Sequence, residues 1–157
     1  MSRARACLAV SSLLAACALF TEPAPADRLE DARRLWDRVG PAYYIYETRV
    51  MCFCGGLAGR WIEVTVMEQA VVRGRYADTG QNVEAQWLQL VPTIEDLFES
   101  VEHFIDQDPD QLEVVYDPAD GHPISISADI RVQTADDEFL IESRNLQPML
   151  TALGLPR

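Results

Sequence analysis

The sequence predicts an α+β domain, an antiparallel β-sheet with helices packed on one face. Three observations predict it. Apolar residues recur at helical spacing in two separate stretches, 28–39 and 94–105. Short runs of alternating apolar and polar residues, bounded by turn formers, follow each stretch. These runs come in neighbouring groups of three, giving the order α-β-β-β-α-β-β-β, and adjacent strands with separate helices are the mark of the α+β class. The two halves share an element order, which suggests duplication, although no residue-level repeat is seen.

The first helix is expected from Arg28 to Val39. Asp27 can cap it, with Glu30 completing a capping box. Leu29, Ala32, Leu35, Trp36 and Val39 fall on one face, and Gly40-Pro41 stops the helix. Residues 42–49 (AYYIYETR) are rich in β-formers. Residues 60–67 alternate, with Ile62, Val64 and Val66 on one face. Gly55-Gly56 and Gly59 between these runs suggest a hairpin loop, and a third strand is expected from Ala70 to Tyr76. Residues 77–92 read as a polar connection in which Trp87, Leu88, Leu90 and Val91 return to the core.

The second helix is expected from Ile94 to Ile105. Thr93 is its N-cap, Asp96 helps the first turn, and Ile94, Leu97, Phe98, Val101 and Ile105 form its apolar stripe. Asp106 to Pro109 end it. A strand follows from Leu112 to Tyr116, then a turn at Asp117 to Gly121, where Pro118 presets φ and Gly121 supplies a positive one. Residues 124–132 alternate, placing Ile124, Ile126, Ala128, Ile130 and Val132 inward and Ser125, Ser127, Asp129 and Arg131 outward. A last strand is expected from Glu138 to Ser143 and a terminal helical turn from Gln147 to Leu153.

The N-terminus reads as a targeting segment. Arg3 and Arg5 precede a short apolar run, residues 6–16, too short for a membrane span of about 20 residues. Leu14-Ala15-Ala16-Cys17 has the form of a bacterial lipobox, in which the cysteine is lipidated and becomes the new N-terminus. Ala24-Pro25-Ala26 is the competing site for ordinary signal cleavage. Ala18 follows the cysteine, as in outer-membrane lipoproteins of Gram-negative cells. Residues 1–16 are therefore a signal peptide, residues 17–26 a lipidated tether reaching about 30 Å at most, and residues 27–157 a single domain. The expected location is the bacterial cell envelope, lipid-anchored and facing the periplasm, or secreted if the second site is used.

Charge works by exclusion. Setting Arg3 and Arg5 aside leaves 11 basic residues against 25 acidic ones, a net charge of −14. Such a surface repels nucleic acid and anionic lipid headgroups. Lysine is absent, so every base is an arginine.

Several short motifs occur in a telling order. Cys52-Phe53-Cys54 ends an aromatic strand, and Thr93 to Phe98 (TIEDLF) opens a helix. Tyr116-Asp117-Pro118, Gly121-His122-Pro123 and Asp136-Asp137-Glu138 follow. Over residues 42–145 the chain resembles the bacterial "domain of unknown function 6174" family of secreted proteins and lipoproteins. A tyrosine is usual in that family where His122 stands here. The resemblance implies an envelope location and no known activity, so it carries over no catalytic residue.

Cys52 and Cys54 are the cysteines left after processing. In an oxidising envelope they are expected to be oxidised. On an extended strand their Cα atoms would lie about 6.5 Å apart, near the limit for a bridge, so a Cys-x-Cys disulfide requires the bend that Gly55-Gly56 permits. A structural clip is the first reading, and a thiol–disulfide redox protein the alternative. Asp129, Asp136, Asp137 and Glu138 form an acidic cluster of oxygen ligands suited to Ca²⁺, which gives a third reading, although EF-hand spacing is absent. Two thiols with His103 and His122 make a poor zinc set. No serine-hydrolase motif or phosphate loop is present. The Tyr43, Tyr44 and Tyr46 cluster reads as strand packing. No catalytic residue and no cofactor is assigned, and a non-enzymatic domain that presents its sheet or a sheet edge to an envelope protein is the leading expectation.

Overall fold

A computed structural model describes residues 24–52, 56–57 and 59–149. The protein is α+β. The helices are α1 (Pro25–Val39), α2 (Ala85–Leu88) and α3 (Ile94–Asp106). The strands are β1 (Tyr43–Met51), β2 (Ile62–Met67), β3 (Ala70–Tyr76), β4 (Gln111–Tyr116), β5 (Pro123–Asp129) and β6 (Glu138–Pro148). All six strands form one antiparallel sheet in the order β3-β2-β1-β6-β5-β4. Among the described residues no helix is long and apolar enough to cross a membrane.

Pleat alternation decides what the sheet buries. Tyr44, Tyr46 and Thr48 of β1 and Ile62, Val64 and Val66 of β2 are buried, while their neighbours on the other side of the pleat are only half-buried. Helix α3 lays Ile94, Leu97, Phe98, Val101 and Phe104 into the same core and packs against α1, β4 and β5. Trp36 of α1 meets the ring of Tyr44 edge-on at 5.7 Å.

Several expected boundaries are corrected. Helix α1 begins at Pro25, which suits a first helical position because its missing N–H needs no partner. Asp27 therefore lies inside the first turn, no side-chain cap forms, and Val39 is exposed. The connection at 77–92 contains the short helix α2. Strand β5 stops at Asp129, because the Asp110 carboxylate accepts the N–H of Val132 (3.0 Å) and draws the chain out of the sheet. Val132, expected inside, is 55% exposed. Strand β6 runs on to Pro148, so Gln147 and Pro148 extend β6 where a helical turn was expected. Residues 150–153 of that expectation lie outside the described residues.

The duplication suggestion is not met by the topology. A two-fold relation between the halves would place the same strand of each half at the centre. The centre instead pairs β1, the first strand of one half, with β6, the last of the other.

Candidate functional site

Cys17 and Cys54 lie outside the described residues. Cys52 follows the end of β1, is half-buried and is disulfide-bonded. It shares a shallow depression with Ser127, Asp136 and Glu138, so the structure brings one sequence-identified cysteine next to two members of the acidic cluster. Carboxylates beside a sulfur disfavour the thiolate. Arg49, the one base near it in sequence, is bound to Glu142 and stacked on Trp61, with its guanidinium carbon 4.7 Å from the ring centre.

Asp129 and Glu138 face each other in register across β5 and β6. Burial holds the Asp129 carboxyl above the ordinary range, and the charges of Asp137, Glu138 and Asp110 add to this. One oxygen each of Asp129 and Asp137 is shielded from solvent without a hydrogen-bond partner. Asp136, at φ +73°, turns to the Cys52 depression. Among the described residues, no three of these four expected Ca²⁺ ligands bring their ligand atoms within 4.8 Å of one another.

Convergence occurs at the turn between β4 and β5. Among the described residues, Asp117, Asp120 and His122 are the one set whose ligand atoms all lie within 4.8 Å of one another. The backbone builds this. The N–H of Gly121 donates to Asp117 O (2.8 Å), and the N–H of Asp117 donates to His122 O (2.9 Å). Each aspartate also caps its own turn. Asp117 Oδ1 accepts from the Ala119 N–H (2.7 Å), and Asp120 Oδ1 accepts from the His122 N–H (3.0 Å). The His122 ring is 4% exposed, lies 6.1 Å from the Trp36 ring, and hydrogen-bonds through Nδ1 to Asp120. In the sequence this stretch reads as a turn only. Its signal was the D-x-x-D-x-H spacing around a proline and a glycine.

A separate apolar cavity of about 180 Å³ opens beside the β1–β2 connection, walled by Val50, Leu57, Trp87, Leu90 and Pro92 with Thr48 at its base. Its polar groups are already engaged. The Thr48 hydroxyl donates to Glu142 O (3.0 Å), and Arg60 pairs with Asp78 (2.9 Å).

The open sheet leaves two edges, β3 and β4. Edge β3 is guarded. A register shift interrupts it at Thr65/Val66, Arg73 projects from it, and a bridge joins Arg75 to Asn82. Edge β4 has no such bridge among the described residues; it is regular from Gln111 to Val115, shifts register at Val115/Tyr116, and exposes Glu113 and Val115.

Fold and surface together define an α+β domain with two sheet edges, one of them bridged, and no assembled catalytic set among the described residues. The chain belongs to the family of unknown function DUF6174, whose pattern it matches over residues 28–148. No curated protein and no solved structure matches it. The motifs that carried the resemblance are fold-making ones here: TIEDLF is the capped start of α3, and the YDP and GHP triplets bracket the β4–β5 turn.

Proposed function

We propose that this protein is a bacterial cell-envelope lipoprotein, anchored by a lipid on Cys17 and facing the periplasm. Its domain acts as a non-enzymatic docking module that accepts an extended strand of a partner protein along β4. The signal-like residues 1–16 and the lipobox support the anchor. The competing Ala24-Pro25-Ala26 site overlaps the first turn of α1, where the Arg28 N–H donates to Ala24 O (3.1 Å), so cleavage there would remove that bond. A bridge between Cys52 and Cys54 would clip the end of β1 next to that fold.

The observation that carries the docking reading is the contrast between the two edges. An unguarded strand offers unpaired N–H and C=O groups that a second chain can complete. Val115, 42% exposed, offers a side-chain contact beside them. Asp108, Asp110, Glu113 and Asp117 surround β4, so the fitting strand is a basic one.

The test is site-specific photo-crosslinking in native envelopes, with the crosslinker at Val115 and, as control, at Val72 on β3. A discrete adduct from Val115 alone is expected. Val115→Lys should abolish co-purification of the crosslinked protein while shifting Tm by no more than about 2 °C, as suits an exposed site. Adducts from Val72 alone, or from neither position, would refute docking at β4. Intact mass of the same material should show a diacylglyceryl group on Cys17, whereas a chain starting at Asp27 would refute the anchor.

A further inference from the structure

We infer that the β4–β5 turn binds one divalent first-row transition-metal ion of the Zn²⁺ type, with Asp117, Asp120 and His122 as its protein ligands. The inference stands apart from the docking reading. The donors come from one short, rigid turn, at positions i, i+3 and i+5, and lie within 4.8 Å of one another. Metal bonds of about 2.0–2.2 Å to nitrogen and oxygen require a closer approach, and the two half-buried carboxylates can rotate to make it.

His122 is the fixed member. Its ring is almost wholly buried, and Trp36 holds it. Its one hydrogen-bond partner among the described residues is Asp120, itself a member of the set, so no outside group competes for Nδ1. The frame beneath it is equally fixed. Gly121 sits at φ +86°, and a Cβ there would lie 2.3 Å from Ala32 O of α1, so the turn packs closely against the helix at a position only glycine fills.

Donor chemistry selects the ion. An imidazole nitrogen with two carboxylate oxygens suits zinc and its neighbours, whereas Ca²⁺ and Mg²⁺ favour oxygen-only shells. Two carboxylates with a neutral imidazole balance a dication, and a chain of net charge −12 attracts one. Three protein ligands leave coordination positions for water or a partner's donor, the pattern of an open site.

The test is calorimetric titration of the full-length, oxidised chain with ZnCl₂, alongside Ca²⁺ and Mg²⁺. One Zn²⁺ per chain is expected, with no heat from the other two ions. Asp117→Asn and Asp120→Asn keep the side-chain oxygens that accept the Ala119 and His122 N–H groups, so the turn survives, and circular dichroism melts check this. Each should weaken Zn²⁺ binding by more than the about tenfold that loss of an outer partner costs. His122→Gln should remove the visible absorption of the Co²⁺-loaded protein. No binding of Zn²⁺, a preference for Ca²⁺, or affinity unchanged in the Asn variants would overturn the inference.

Discussion

Single side chains tie the helices to the sheet. The Tyr44 hydroxyl accepts the N–H of Ile94 (2.9 Å) and donates to Glu95 Oε2 (3.0 Å), while Trp36 Nε1 donates to Glu95 Oε1 (3.1 Å). One carboxylate thus links α1, β1 and α3, and burial pushes the Tyr44 hydroxyl's pKa far above its ordinary value. Tyr44→Phe keeps the ring but leaves a buried N–H without an acceptor. It should cost about 1–3 kcal/mol, read from urea denaturation. Half of this was legible. The strand pattern places Tyr44 and Tyr46 inside, but Glu95 looks like any solvated helix acid until the fold sets it beside two rings. Asp129 carries a pH prediction. Its folded pKa is raised, so the native state holds its proton more tightly than the unfolded chain does, and the ionised carboxylate destabilises the fold above that pKa. Asp129→Asn should raise Tm at pH 7, with the gain fading as pH falls through the carboxylate range toward about 4. A gain that grows on acidification would contradict this account.

At the scale of elements, local chemistry decided which ones could be read. Helix α3 announces itself through an apolar stripe and a cap, and both halves of that cap form. The Asp96 N–H donates to Thr93 Oγ1 (3.1 Å), and the Thr93 N–H donates to Asp96 Oδ2 (2.8 Å). Thr93→Ala should cost about 1 kcal/mol, seen as a lower midpoint in the same denaturation experiment with an unchanged slope. The β2–β3 turn carries no such signal, since Glu68 and Gln69 both take positive φ (49° and 65°) without glycine or asparagine. The length of strand β6 is hidden in the sequence for a related reason. Its second half, with Asn145 at φ +56°, is polar in sequence and is held as strand by pairing with β1 across an irregularity at Ile45/Glu47. The β4–β5 turn was legible as a turn. That it gathers Asp117, Asp120 and His122 was not, because convergence depends on the backbone path and on the packing of Trp36.

For the molecule as a whole, class and strand grouping followed from the alternation of apolar residues, and the order of strands across the sheet did not. Hairpin neighbours such as β2–β3 and β4–β5 follow from short connections. The junction of the two halves rests on β1 lying beside β6, where Tyr44 pairs with Pro148 and Met51 with Leu140. Nothing in either strand's own sequence names the other. That junction has a kinetic consequence. The central pair of the sheet joins the first strand made to the last, so loop closure across nearly the whole domain must precede completion of the core, a long-range contact of the kind that slows folding. While synthesis continues, β1 can pair with β2 but lacks its other neighbour, β6. Were the protein exported as proposed above, a late-closing central pair would favour a polypeptide that is still unfolded when it meets a membrane.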